Sequence, residues 1–434
     1  MARRLLLLVP LLAPASANLE TVLAEVAAKK SAEYNCSISI AVRTLQGSAA
    51  VASGVSNFEE GWKAKDTDLY AWGSVTKMFT AASIMKLVGS GHFRLDDEIA
   101  PLVDTFLAKM AAQDPSQNFS SIEQLFGPEL AKTTVRQLLS MTSSIPDFDT
   151  AMPAKSGPSK DPLRAELYST PLHFYKPTEL MSVPWVANHS KECKGVPLMG
   201  KFCYSSTNFM LLGMALAQYA GVDNWAALNQ TVWLPDYLQG QIRFANSGAP
   251  KDVGAVPGYD RTSYNRPQGD QNNHNNWAVD GVFAGWTASN VVATAQQIAD
   301  LSWELWGPSA SIAPKDLVEE MIPKPLHVYG LGAFNIGLFS SGQKGALGKG
   351  YGHLGATYGY QSIVGFFPAQ NISLAVATNI ETDKQVQTPD TMCFAYNAVA
   401  GVLMNKTFEC TFEVVGYYGG RCTCTEKPKP VLIV

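Results

Sequence analysis

Gly73-Ser74-Val75-Thr76-Lys77-Met78-Phe79-Thr80-Ala81-Ala82-Ser83-Ile84-Met85 is the stretch from which the rest of the chain is best read. Met78, Ala81, Ala82, Met85 and Val88 recur at helical spacing, and Gly89 and Gly91 stop the run. Apart from Ser74 and Lys77 the helix is apolar on nearly every side, the pattern of a buried central helix. Residues three apart share a helix face, so the Ser74 hydroxyl and the Lys77 amine are expected to point into one volume. An unactivated serine is a poor nucleophile and needs an adjacent base. A lysine serves when burial against apolar neighbours disfavours its ammonium form. The start of the helix also offers free backbone N–H groups to developing negative charge. Alone the pattern is weak, because Ser-x-x-Lys occurs by chance in many chains and most such lysines are solvated.

Upstream, Leu19 to Lys30 has helical spacing, with Leu19, Val22, Leu23, Val26 and Ala27 on one face. Cys36 to Leu45 alternates like a strand, and Ala49 to Val55 is its expected hairpin partner across Gln46-Gly47-Ser48. Downstream, from Leu95 to Trp306, helical pieces at Val135 to Met141, Asn208 to Tyr219 and Val291 to Trp306 are joined by long polar loops. Asp260 to Asn276 is the most loop-like of these. Strand signals return at Leu331 to Phe339, Gln361 to Phe367 and Ile372 to Thr378, the last two joined by the turn Pro368 to Asn371. A helix from Thr391 to Met404 follows, and then a tail with no core pattern. The economical arrangement is α/β, with the two chain ends sharing one antiparallel sheet and a largely helical lobe inserted between them. No internal repeat is visible.

Composition narrows the class. The 434 residues are 46% hydrophobic and 16% charged, with a formal net charge of −4. That is enough apolar side chain to exclude disorder throughout. Without runs of Lys and Arg there is no nucleic-acid surface to expect. No internal apolar run is long enough to span a bilayer, so stable membrane insertion is not expected.

The amino terminus reads as a secretory leader. Arg3 and Arg4 precede an apolar run from Leu5 to Leu12, and Ala15-Ser16-Ala17 is an A-x-A cleavage site. A signal peptide over 1–17 would leave a mature chain from Asn18 and place it outside the cell or in the secretory lumen. Six N-x-[ST] sequons agree with export, at Asn35, Asn118, Asn188, Asn229, Asn371 and Asn405. The seven cysteines are an odd number, so one thiol stays free or pairs between chains. Cys193 and Cys203 could close a local loop, while Cys422 and Cys424 are expected to reach back to other parts of the fold. Neither a C-x-x-C nor a paired His spacing supports a metal site, and structural disulfides are the better reading.

Two further elements give the Ser74–Lys77 pair a context. Tyr204-Ser205-Ser206 stands just before the helical run at Asn208, and His353-Leu354-Gly355 precedes a strand pair behind Gly348 and Gly350. With Tyr70 to Met85, Leu95-Asp96-Asp97, Val135 to Asp147, Tyr329 to Gly332 and Gly352 to Pro368, the sequence resembles the serine β-lactamase/penicillin-binding-protein superfamily. Its nearest branch is that of class C β-lactamases, D-specific carboxypeptidases and esterases. The resemblance covers residues 20 to 405. It implies a β-lactamase/transpeptidase-like domain over 18–405, followed by a cysteine-bearing tail over 406–434.

The resemblance also implies roles. Ser74 is the acylated nucleophile and Lys77 its base or the orienter of its proton. Tyr204 shuttles a proton to the leaving group and later helps to activate water. The backbone N–H groups of Ser74 and Ala356 form the oxyanion hole. Ser206, His353 and Gly355 are expected to contact substrate, His353 from a sheet edge. Two departures matter. Ser206 stands where these enzymes commonly carry Asn, replacing an amide that both donates and accepts. His353 stands where β-lactamases usually carry Lys, a permanent cation near neutral pH. A penicillin carboxylate would be held less firmly, which favours peptidase or esterase chemistry. The implied function is a secreted serine hydrolase acting through an acyl-enzyme on an ester, an amide or a D-amino-acid peptide. An acyltransferase of the same fold and a secreted binding protein that lost turnover are the alternatives. No cofactor is implied, and the expected partner is a small-molecule or peptide substrate. The large aromatics Trp72, Tyr175, Trp185, Trp277 and Trp286 are either cleft or core.

Overall fold

The computed structural model describes residues 15–149, 161–187, 202–262, 273–324, 327–337, 347–408 and 410. Its centre is a six-stranded antiparallel sheet built from both ends of the chain. The strands are β1 (Ile38–Thr44), β2 (Gly47–Ser53), β3 (Phe334–Asn335), β4 (Tyr351–Thr357), β5 (Tyr360–Phe367) and β6 (Ile372–Thr378). They lie in the order β3-β4-β5-β6-β1-β2, and the ends join where β6 pairs with β1, from Ile38↔Thr378 to Arg43↔Ser373. The shared sheet read from the sequence is therefore present.

Helices cover both faces. On one side α1 (Ala15–Tyr34) packs against β2 and against α6 (Gln387–Met404), joined by Lys30 to Asp390 at 2.5 Å. Leu19, Leu23 and Ala27 of α1 are fully buried, as their spacing predicts. On the other side lies α5 (Ala295–Trp306), where Asp300 takes Arg43 at 3.1 Å and the Ala299 carbonyl accepts from Ser373 Oγ. Beyond β4 is the helical lobe. Its core is α2 (Thr76–Gly89), α3 (Ala100–Gln113) and α4 (Ser206–Tyr219), with α4 packed on both of the others.

Local chemistry moves several boundaries from where the sequence suggests them. The β1–β2 turn is Leu45-Gln46, one residue earlier than expected, because Thr44 Oγ1 accepts from Gln46 N and donates to the Gly47 carbonyl. Val291 to Trp306 is not one helix. Val291–Ala293 is a strand pairing with Tyr70–Ala71 and Arg243–Phe244. The helix begins only after Thr294, whose side chain forms a capping box with Gln297. The strand expected from Leu331 to Phe339 is reduced to Phe334–Asn335, since Gly332 turns the chain at φ +73°; Phe339 lies outside the described residues. The polar loop after Asp260 is closed at its base by pairing of Asp260 with His274.

The last described residues fold back on α6. Phe408 packs against Tyr396 with ring centres 5.7 Å apart, and Cys410 is bonded to Cys393. Cys203 is also in a disulfide, whereas Cys36 is a free, buried thiol whose acidity burial weakens to a pKa of about 12. Cys193, Cys422 and Cys424 lie outside the described residues. No described helix is long and apolar enough to cross a membrane.

Candidate active site

Ser74 lies in a 3₁₀ turn, Gly73–Val75, that leads directly into α2. Four hydrogen bonds lock the turn. Trp72 N–H donates to the Val291 carbonyl at 3.0 Å, and Trp72 Nε1 donates to the Ala293 carbonyl at 2.9 Å. Thr76 Oγ1 donates to Gly73 O at 2.7 Å and accepts from Val291 N at 2.9 Å. Lys77, one helical turn on, is fully buried. Its Nζ lies 2.7 Å from Ser74 Oγ and donates to the Ala288 carbonyl at 3.0 Å. Burial pushes the ammonium down to a pKa of about 7, against an upward pull from Asp147 and Asp149. A lysine in that state exchanges its proton near neutrality, which is what a general base requires.

Two glycines bring β4 against the nucleophile. Gly73 sits at φ +51°, and a Cβ there would stand 2.6 Å from the Ala356 carbonyl oxygen. At Gly355 a Cβ would stand 2.0 Å from the Trp72 carbonyl oxygen. Gly355 is thus a close-approach position in the wall of the site. The tip of the β4–β5 hairpin is Tyr358-Gly359, both at positive φ, as a tight two-residue turn requires. Pairs in an antiparallel ladder alternate between bonded and non-bonded, so with Thr357 and Tyr360 closing the turn, Ala356 falls in the non-bonded class. Its N–H and C=O then point away from β5, toward the side where Gly73 and Ser74 lie. The Ala356 backbone thus lies against the turn that carries Ser74.

Tyr204 stands at the mouth of α4, half-buried, with Lys77 Nζ 5.1 Å from its ring centre. Phe334 stacks on it at 6.1 Å, and the His353 ring lies 6.3 Å away. Ser74, Lys77, Tyr204, His353, Gly355 and Ala356 are therefore brought close together.

The expectation for His353 needs correcting in its surroundings. It is fully buried, in the part of β4 that pairs with β5 alone, rather than open to a substrate. Its Nδ1–H donates to the Leu354 carbonyl at 2.6 Å, which leaves Nε2 to accept from the Tyr329 hydroxyl at 2.9 Å. Burial and the neighbouring Lys77 push its pKa down to about 3, so the ring is neutral. Ser206, expected to face substrate, is only 4% exposed and donates its backbone N–H to Asp147 Oδ1 at 2.9 Å. Trp72, Trp286 and Tyr175 are core residues, while Trp185 and Trp277 are half-buried and donate to the carbonyls of Phe148 and Ala255.

Asp147, Tyr329 and the Ala288 carbonyl were not legible as parts of the site. Asp147 ends the stretch beginning at Val135, but no spacing rule joins it to Lys77. Four sequons are exposed, at Asn35, Asn118, Asn229 and Asn405, Asn371 is half-buried in the β5–β6 turn, and Asn188 lies outside the described residues.

The sequence pattern of the Beta-lactamase family matches residues 37–392, most of the chain. The chain belongs to the Beta-lactamase family. Solved structures similar to this family member share its fold at low identity. D-amino acid amidase from Ochrobactrum anthropi SV3, complexed with L-phenylalanine amide, is 19% identical with a TM-score of 0.63, covering 89% of this chain and 99% of that one. The octameric penicillin-binding protein homologue from Pyrococcus abyssi is 20% identical with a TM-score of 0.59, covering 90% and 78%. A D-stereospecific amidohydrolase from Streptomyces sp. is 17% identical with a TM-score of 0.60, covering 90% and 99%.

Proposed function

We propose that this Beta-lactamase family member is a secreted serine hydrolase that turns over an ester, an amide or a D-amino-acid peptide through an acyl-enzyme on Ser74. The observation that carries the reading is the 2.7 Å contact between Ser74 Oγ and a fully buried Lys77 amine. Neutral Lys77 takes the Ser74 proton as Oγ bonds to the substrate carbonyl carbon. The carbonyl oxygen gains the negative charge and is met by the N–H groups of Ser74 and Ala356. As the intermediate collapses, the bond to the leaving group breaks and Tyr204 relays the proton from Lys77 to it. Water then repeats the addition on the acyl-enzyme, with Tyr204 and Lys77 as base, and Ser74 recovers its proton.

A neutral His353 supplies no cation for a substrate carboxylate, which supports esters and amides over penicillins. Similarity of fold to a D-amino acid amidase and a D-stereospecific amidohydrolase supports amide chemistry. Export is supported by the disulfide between Cys393 and Cys410 and by the exposed sequons.

A fluorophosphonate probe followed by intact-mass analysis tests the reading. Wild type should gain one adduct and Ser74→Ala none. A wild type that stays unlabelled while a related hydrolase reacts would favour a binding protein.

A further inference from the structure

Residues 141–149 form a strap around the arm that carries Tyr204. Met141 O accepts from Cys203 N at 2.7 Å. Ser143 Oγ donates to Asn208 Oδ1 at 2.7 Å. The Pro146 carbonyl accepts from both Ser205 Oγ at 3.1 Å and Thr207 Oγ1 at 2.8 Å. Thr207 Oγ1 in turn accepts from Phe148 N at 3.2 Å. Asp147 Oδ1 takes the Ser206 backbone N–H at 2.9 Å and that of Asp149 at 3.3 Å. Cys203, Ser205, Ser206, Thr207 and Asn208 are each bonded to this strap, and Tyr204 is the half-buried member of the arm, its ring centre 5.1 Å from Lys77 Nζ.

The strap also reaches the opposite wall. Asp149 accepts from the Tyr358 hydroxyl at 3.0 Å, two residues beyond Ala356. One short segment thus holds the phenol arm on one side and the oxyanion hairpin on the other. Its two carboxylates bear on the same lysine between them.

We propose that Asp147 is a positioning residue that seats the Tyr204 arm through Ser206 and whose buried carboxyl bears on Lys77. The role rests on the hydrolase reading above. It is absent from the sequence-derived site, where Ser206 stood as a substrate contact. The groups facing Lys77 are Ser74 on its own turn, Asp147 and Asp149 on the strap, Tyr204 on the arm and His353 on β4. Asp147 raises the proton affinity of Lys77; burial pushes the Asp147 carboxyl above the ordinary carboxylate range, and Lys77 pulls it back toward the ionised form. Asp149 acts in the same direction but also faces Asp161, Arg164 and Tyr358, which divide its influence.

Burst kinetics with p-nitrophenyl acetate on the full chain, from pH 5 to 9, test the proposal. Asp147→Asn keeps an acceptor for Ser206 N and loses the charge. It should shift the acid limb of acylation to lower pH by about one unit. Thr207→Val removes two strap bonds without changing charge. It should lower the acylation plateau roughly 10-fold or more while leaving the limb in place, because misplaced catalytic groups slow the step. A limb for Asp147→Asn that coincides with wild type overturns the proposal, as does a Thr207→Val plateau within twofold of wild type. Thr207→Val decides the positioning role even where Asp147→Asn does not fold. A wild type without any burst overturns the hydrolase reading as well, whereas a wild-type burst with unmoved variants removes only the role of the strap.

Discussion

Replacing Lys77 with Met should abolish acylation and make the protein more stable. Methionine is a straight side chain of similar length, so it fills the same buried space. The lysine it replaces holds a pKa of about 7 where its ordinary value is 10.5. At about 1.4 kcal/mol per pH unit, protonated Lys77 costs the folded state about 5 kcal/mol below pH 7, and about 4 kcal/mol at pH 7 itself. Methionine removes that cost but leaves the Ala288 carbonyl without its donor, a loss of about 1–3 kcal/mol. The net expectation at pH 6–7 is a gain of about 1–4 kcal/mol, or roughly 1–4 °C in Tm for a chain of this size.

The pH dependence carries the sign. Between pH 7 and 10.5 the unfolded chain still binds the proton that folded wild type has released. Wild type therefore gains stability as pH rises through this window, and the advantage of Lys77→Met shrinks toward zero or reverses. Thermal and urea unfolding of both proteins from pH 6 to 10 measure the difference, in which the other titrating groups largely cancel. A Lys77→Met protein no more stable than wild type at pH 6, or a difference constant across the range, would refute a desolvated amine beside Ser74.

Three other outcomes are expected. The acylation rate of wild type should fall about tenfold per pH unit well below pH 7, as Lys77 takes up its proton, and Lys77→Arg should not restore activity at any pH because a guanidinium stays protonated; burst kinetics across pH check both. Gly355→Ala places a Cβ 2.0 Å from the Trp72 carbonyl, so β4 must withdraw from the nucleophile turn, lowering both Tm and the fluorophosphonate labelling rate. Arg164→Met leaves the buried carboxylates of Asp161, Asp260 and Glu381 without the cation that joins them, and urea unfolding should show a loss of about 3–5 kcal/mol.

What could be read from the sequence was what repeats locally. Ile372 to Thr378 alternates nothing and is apolar almost throughout, and it is a strand buried on both faces. Ser74 and Lys77 meet because one helical turn separates them, so their contact follows from the chain itself. Val291 to Trp306 misleads because three strand residues run into a helix without a glycine or proline between them. Only the capping pair Thr294 and Gln297 marks the change. His353 is marked by its place before a glycine, but its neutrality depends on its burial in β4 and on Lys77, neither visible locally. Asp147 was out of reach for the same reason, because its grip on Ser206 spans 59 residues of chain.

The pairing of β1 with β6 also governs when the molecule can first exist as a folded body. Ile38 meets Thr378, so β1 leaves the ribosome long before its partner strand. At roughly 5–20 residues per second, that wait is about 20–70 s. Throughout it, Ile38, Ile40 and Val42 form an open hairpin edge with only β2 beside them, the kind of edge that pairs with neighbouring chains. A nascent chain ending anywhere before Ile372 has no partner for that edge from its own sequence. The early hairpin is thus the edge most exposed to pairing with neighbouring chains during synthesis.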